Sequence, residues 1–470
     1  MTGFASKLRL PWFRPCWCWV ILSMWPISGL GTVGAQEKPQ TYRRFEVLDQ
    51  GDRVMSLSIT AESAAEGVLP RWARDVSQAK WAWSKAINER PRFADPLVFV
   101  LPPEDPDQPF GDHNHQPSIT WLENGDLLSI WYSTSSESGT ELTVLAARLR
   151  AGAETWDPSS EFFKAEQRNM HGSAIFADED GTLFHINGMG PLGGLGWARL
   201  ALLQRTSRDN GVTWSAPVAI GPEYKTRHQV ISGTLKTSQG ALVQCCDADP
   251  GPNGGTAVHV SRDQGKTWVD AGNGREKPEF VAGGRGLGTV AGIHASIVEL
   301  ANGSLLALGR GDTIDGRMPQ SLSHDLGQTW EYGPSPFPPI GSGQRLILRR
   351  LNEGPLLMVS FTSGNRMEPE SNPQMFIDQQ GQSFAGHGMF AALSFDEGAT
   401  WPLRKLLTPG AGNWDGGAHT QAFVATPTRA EHAGYLASTQ TPDNTIHLIS
   451  SRLHYRFNLA WLLAGYPEQP

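Results

Sequence analysis

Five histidines and one arginine stand at matching places along this 470-residue chain: His115, His171, His228, His294, Arg345 and His419. Each opens a short apolar run. An imidazole titrates near neutral pH, so a ring of them can bind a carboxylate or sulfate, pass protons or ligate a divalent metal. Further candidates flank the six. Asp112 and His113 precede the first run, Arg227 adjoins His228, and Arg310, Asp312 and Arg317 follow the fourth. Asp415 precedes His419, and Arg452, His454 and Tyr455 stand near the end. Asp315 and Arg456 read as surface charge.

Such scattered residues meet only if the runs that carry them are equivalent parts of one closed structure. Five runs share one form, in which an apolar stretch, a turn with glycine and a second apolar stretch follow in order. Their turns hold Asn124-Gly125, Asp180-Gly181, Gln239-Gly240, Asn302-Gly303 and Glu353-Gly354, the pattern of a β-hairpin. A sixth unit is expected to begin at Thr420 and to continue through Tyr435–Ser438 and Thr445–Ser450.

An octapeptide, Ser-x-Asp-x-Gly-x-Thr-Trp, recurs at 207–214, 261–268, 323–330 and 394–401, with a weakened copy at Arg150–Trp156. Its Asp can accept backbone N–H bonds, its Gly supplies a positive φ and its Trp folds back as an apolar plug. These residues are committed to a turn and not to catalysis. The intervals between copies, 54, 62 and 71 residues, suit four-stranded blades with loop insertions. Six units predict an all-β, six-bladed propeller whose inner strands converge at one mouth.

The octapeptide is similar to the Asp-box, or bacterial neuraminidase repeat, and the chain resembles the sialidase-like six-bladed propellers over roughly Gly111–Leu462. The resemblance implies boxes between the third and fourth strands of a blade, away from the active face. It also implies an exo-acting glycoside hydrolase of the exo-α-sialidase type. Its family chemistry is three arginines gripping a carboxylate, a Tyr nucleophile assisted by Glu, and an Asp acid/base. Here His115-Gln116-Pro117 stands where the family has Arg-Ile-Pro. His294 stands at the place of the Glu and His419 at that of the Tyr. Arg345 and Arg317 match the other arginines in role, and Asp112 is a neighbour of the acid. The expected substrate is an anionic glycan in a His-rich pocket. Two alternatives stay open: a polysaccharide lyase using His/Tyr acid–base chemistry, and a non-catalytic glycan- or metal-binding propeller whose His ring holds a divalent ion.

The rest of the sequence bounds these readings. A net charge of -8 argues against nucleic acid or an anionic membrane surface as partner. Lys7, Arg9 and Arg14, an apolar stretch from Cys16 to Ile27 and Val33-Gly34-Ala35 predict a signal peptide over 1–35 and a secreted or periplasmic protein with no integral span after its removal. Residues 36–110 read as an extension packing on a propeller at 111–465. Within it, Ala61–Ile87 has helical character, with Trp72, Trp81 and Trp83 as docking points, and Asp95–Leu101 reads as a strand closing the ring. Adjacent Cys245 and Cys246 are expected to be core thiols on opposite strand faces. A monomer is expected.

Overall fold

The computed structural model describes residues 69–466 apart from Pro252, together with the backbone of Tyr42–Asp49 and Arg53–Thr60. The expected signal peptide, at 1–35, lies outside the described residues. Six antiparallel four-stranded blades form the ring. Blade one contains His113–Trp121, Leu127–Thr134, Thr143–Leu149 and Ser160–Ala165 from the axis outward, and the hairpin Tyr42–Asp49/Arg53–Thr60 extends it. Blade two runs Ser173–Ala177, Leu183–Met189, Leu200–Ser207 and Val218–Lys225. In blade three the inner strand is broken into Gln229–Val230 and Leu235–Lys236. Blades four and five begin at Ile293–Glu299 and Ile347–Arg350.

The inner hairpins turn where the sequence pattern places them. In blade one Gly125 N–H donates to the Leu122 carbonyl at φ +87°, a backbone shape that costs glycine nothing. The octapeptides are identical turns between the third and fourth strands. In each, the Asp carboxylate accepts from the Thr backbone N–H and hydroxyl and from the Ser hydroxyl; for Asp325 these distances are 2.8, 2.6 and 2.9 Å. The Trp indole donates to the Gly carbonyl, as Trp330 does to Gly327 at 3.0 Å, and its ring is buried in the core. In the weakened copy Trp156 instead donates to His454 Nδ1 at 3.1 Å, joining blade one to blade six.

Blade six differs from expectation. Its inner strand is Ala437–Gln440, followed by Ile446–Ile449 and Leu453–Phe457, and the fourth strand is Phe93–Val98 from before blade one. That last strand closes the ring, its Leu97 and Val98 opposite His454 and Leu453. The Thr420 segment belongs to a separate hairpin, Gly412–Asp415 with Ala422–Ala425, inserted between blades five and six. The helical character expected over 61–87 is absent from its described part, which holds only the 3₁₀ turns Arg71–Ala73 and Lys85–Asn88. Three tryptophans there do dock. Trp72 is buried and donates to the Glu161 carbonyl at 2.9 Å, Trp81 lies over Gly125, and Trp83 meets Trp121 edge-on. Cys245 and Cys246 are free and buried in two different apolar clusters.

Candidate functional site

The leading ends of the inner strands are irregular, and that irregularity aims side chains at the mouth. Register slips between His115 and Ser118 in blade one and between Ile293 and Ser296 in blade four. Gln116 and His294 sit at these slips with φ of 53° and 51°, a strained shape for residues with a Cβ. In blades five and six Gln344–Arg345 pairs in parallel with Gly434–Tyr435, which sets Arg345 beside Tyr435.

Tyr435 is the centre of the pocket. Its hydroxyl lies 2.9 Å from His294 Nε2 and accepts from Arg310 Nη1 at 2.9 Å. Asp247 holds the other side of His294, with Oδ2 3.0 Å from Nδ1 and Oδ1 accepting the His294 backbone N–H at 2.8 Å. Arg345 and Arg310 each place Cζ 5.2 Å from the centroid of the Tyr435 ring. Arg345 is buried and fixed by the Leu436 and Pro117 carbonyls at 2.9 and 2.5 Å.

A second group faces this one across His115, whose ring lies 3.8 Å from Tyr435, 4.4 Å from His419 and 6.0 Å from Tyr132. Glu137 accepts from Tyr132 Oη at 2.5 Å and pairs with His113 Nε2 at 3.1 Å. His171 lies 4.9 Å from Tyr132 and stacks on Trp197. His113 and His419 open into a cleft of about 680 Å³ that Asp112, Arg366, Asp415 and Arg452 also line.

Burial is the first cause that holds the imidazoles of His115, His171, His294 and His419 neutral, and Arg310 adds to it at His294 and Arg366 at His419. His171, His294 and His419 fall to about 4, and His115 lies well below the usual range. The positive charge of the pocket therefore belongs to Arg310, Arg345 and Arg366. Burial lowers Arg345 to about 10 and raises the Tyr435 phenol. The His113 hydrogen bond holds Glu137 ionised, at about 2. His113, Glu137 and His419 bring ligand atoms within 4.8 Å of one another, a donor set suited to a divalent cation. Arg366 opposes that use, because its Nη1 donates to His419 Nδ1 at 2.8 Å and its charge stands at the same ring.

The structure gathers His115, His171, His294, Arg345 and His419, and adds Arg310. It leaves out His228, which ends a 3₁₀ turn, donates its Nδ1–H to the Leu200 carbonyl at 2.8 Å and packs on Gly221 and His259 between blades. Arg227 is spent on both oxygens of Asp270. Arg317 is exposed in a tight turn with Ile314, so Arg310 and not Arg317 supplies the blade-four guanidinium. Asp312 faces the Gly292 backbone and Lys277, where burial pushes its carboxyl up to about 6. Tyr455 is buried away from the mouth and donates to Glu431 at 2.8 Å. Asp415 and Arg452 form a rim ion pair at 3.0 Å, and Asp112 is exposed beside them. His419 reaches the pocket from the inserted hairpin, not from an inner strand. The residue that opens blade six is Tyr435. Tyr435-Leu-Ala437 repeats the figure of His294-Ala-Ser296 and His171-Gly-Ser173, the signal that would have found it. Asp247, Glu137, Tyr132 and Arg366 carry no comparable mark.

A family model described as a BNR repeat-like domain matches residues 125–448. A curated sialidase from Micromonospora viridifaciens is 23% identical over 380 residues, 74% of this chain and 51% of that protein, so the chain spans about half of its length. The fold is similar to NanB sialidase from Streptococcus pneumoniae, with TM-score 0.51 and 12% identity over 78% of this chain and 71% of that one. A protein of unknown function from Dyadobacter fermentans gives 0.50 and 14% over 79% and 99%. With the six-bladed ring and the repeated turns, the match over most of its length shows that this chain belongs to the BNR repeat-like domain family, among the sialidase-like propellers.

Proposed function

We propose that this chain is an exported glycoside hydrolase that cleaves an acidic sugar through Tyr435 as nucleophile. One observation carries the reading: the Tyr435 hydroxyl lies between an imidazole that can take its proton and a guanidinium that can stabilise the oxyanion. His294 replaces the Glu of the sialidase pair, and Asp247 orients it as the acid of a Ser–His–Asp triad orients its base. In the first step Tyr435 Oη bonds to the anomeric carbon and its proton passes to His294 Nε2. The glycosidic C–O bond breaks, and the departing oxygen takes a proton from a water in the cleft beside His113, whose Nε2 pairs with ionised Glu137. The resulting hydroxide displaces Tyr435, whose oxygen recovers its proton from His294. Arg366, at the cleft wall, is the cation placed to meet the sugar carboxylate. The signal-like residues 1–35 support export, and among the described residues no helix is long and apolar enough to cross a membrane.

The test is a fluorinated glycosyl fluoride of an acidic sugar, which should inactivate the protein and label the peptide containing Tyr435. Turnover of acidic glycosides with no label at Tyr435 would refute this assignment. One feature favours elimination as a second reading. The carboxyl group nearest the leaving side, Glu137, is ionised and cannot itself act as acid, whereas a tyrosine and neutral imidazoles suffice to move the proton beside a uronate. Unsaturated uronate products from a polysaccharide would select it.

A further inference from the structure

Below the Tyr435 pocket the six inner strands enclose an axial cavity of about 570 Å³, lined in part by Ser118, Ser232, Ser296 and Ser438. Most charges on its wall are matched. Lys236 pairs with Asp178 at 2.5 Å, Arg350 with Glu397 at 2.5 Å, and Glu299 accepts from the Ser238 backbone and hydroxyl at 2.7 and 2.9 Å.

Arg349 is different. It ends the inner strand of blade five, and its guanidinium makes one side-chain contact among the described residues, Nη1 to Ser438 Oγ at 3.4 Å. Its Nε is buried without a hydrogen-bond partner. Burial lowers it to about 10, and no carboxylate offsets that effect. Arg92 and Arg456 add positive charge near the adjoining His447, with Asp443 opposite them and Glu154 paired with Arg456 at 3.1 Å. A guanidinium carries five N–H donors in a rigid fork, and this half-buried one has no carboxylate partner among the described residues. In a cavity large enough for an ion and its waters, the complement is an anion.

We propose that Arg349 binds a small inorganic anion of chloride size in the axial channel, with the Ser438 hydroxyl as a further donor. Arg349 lies four positions beyond Arg345 on the same inner segment, so the anion lies roughly 13 Å below the pocket. Its role is to fasten blade five to blade six at the axis, independent of any catalysis.

The test compares thermal unfolding in sodium chloride and in sodium gluconate at equal ionic strength, for the full chain and for Arg349→Met. The intact chain should gain about 2–4 °C in chloride, and the variant should show no difference. Equal shifts in both proteins, or none in the intact chain, would overturn the proposal. Should Arg349→Met fail to fold, crystals of the intact chain soaked in sodium bromide decide it. An anomalous peak within reach of the guanidinium supports the site, and a channel free of bromide rejects it.

Discussion

His294 Nε2 lies 2.9 Å from Tyr435 Oη although 141 residues separate them in the chain. Two strand openings, one in blade four and one in blade six, make that contact. Asp247 completes it from blade three, so three blades must be in place before the phenol has a base.

Tyr435→Phe keeps the ring between His115 and the two guanidiniums but removes the attacking oxygen. The glycosidase reading predicts a fall in kcat/KM of at least about 10³-fold with a stability change of about 1 kcal/mol. Initial rates and thermal unfolding check it. A variant that keeps its rate would move the nucleophile elsewhere, with Tyr132 next in line.

His294 must be neutral to receive a proton, and burial holds it at about 4. The acid limb of kcat/KM should therefore have its midpoint near pH 4. Asp247 raises His294, so Asp247→Asn should push that midpoint lower while reducing kcat by roughly 10²–10⁴-fold through a misplaced ring. A pH–rate profile of both proteins measures the two effects together. An unmoved limb would mean that another group sets it.

Arg366 donates to His419 Nδ1 and stands where its charge repels a cation held by His113, Glu137 and His419. Arg366→Ala should raise zinc affinity by about tenfold or more, and the intact protein purified without tag or chelator should carry far less than one zinc per chain. Elemental analysis and competition with a zinc-binding dye give the numbers. Stoichiometric zinc in the intact protein would show that the guanidinium yields.

Glu431 accepts from Tyr455 and Thr420 in a buried site, and burial raises its carboxyl to about 8. The folded chain keeps a proton that the unfolded chain releases above about 4.5. Stability from this group is thus present at low pH and lost as pH rises toward 8. Glu431→Gln preserves an acceptor and should raise Tm by about 2–6 °C at pH 8, with little gain at pH 5. Equal gains at both pH values would remove ionisation as the cause.

Most of the scaffold could be read from residue order, because each turn carries its own chemistry. The octapeptides and the Gly-bearing hairpins need only local bonds, and the apolar run of Asp95–Leu101 marks the closing strand, which forms at Phe93–Val98. Blade six was misplaced for a physical reason. Its inner hairpin turns on Pro442-Asp443-Asn444, with Asn444 at φ 71° in place of glycine, while the inserted Gly412–Ala425 hairpin mimics a strand start. The pocket is obscured for the same reason. His419 takes in the sequence pattern the place that belongs to Tyr435, and the 3₁₀ turn that begins blade three, which turns His228 away from the axis, leaves no mark in that pattern. Asp247 and Glu137 act through distances across blades, which no local pattern encodes.

The outermost strand of blade six comes from residues made before blade one. A nascent chain emerging from the ribosome can therefore assemble five sheets in sequence, but Phe93–Val98 must wait, unpaired, until Leu453–Phe457 has been synthesised. Until then its backbone N–H and C=O groups have no ladder partner, which leaves it open to pairing with another chain.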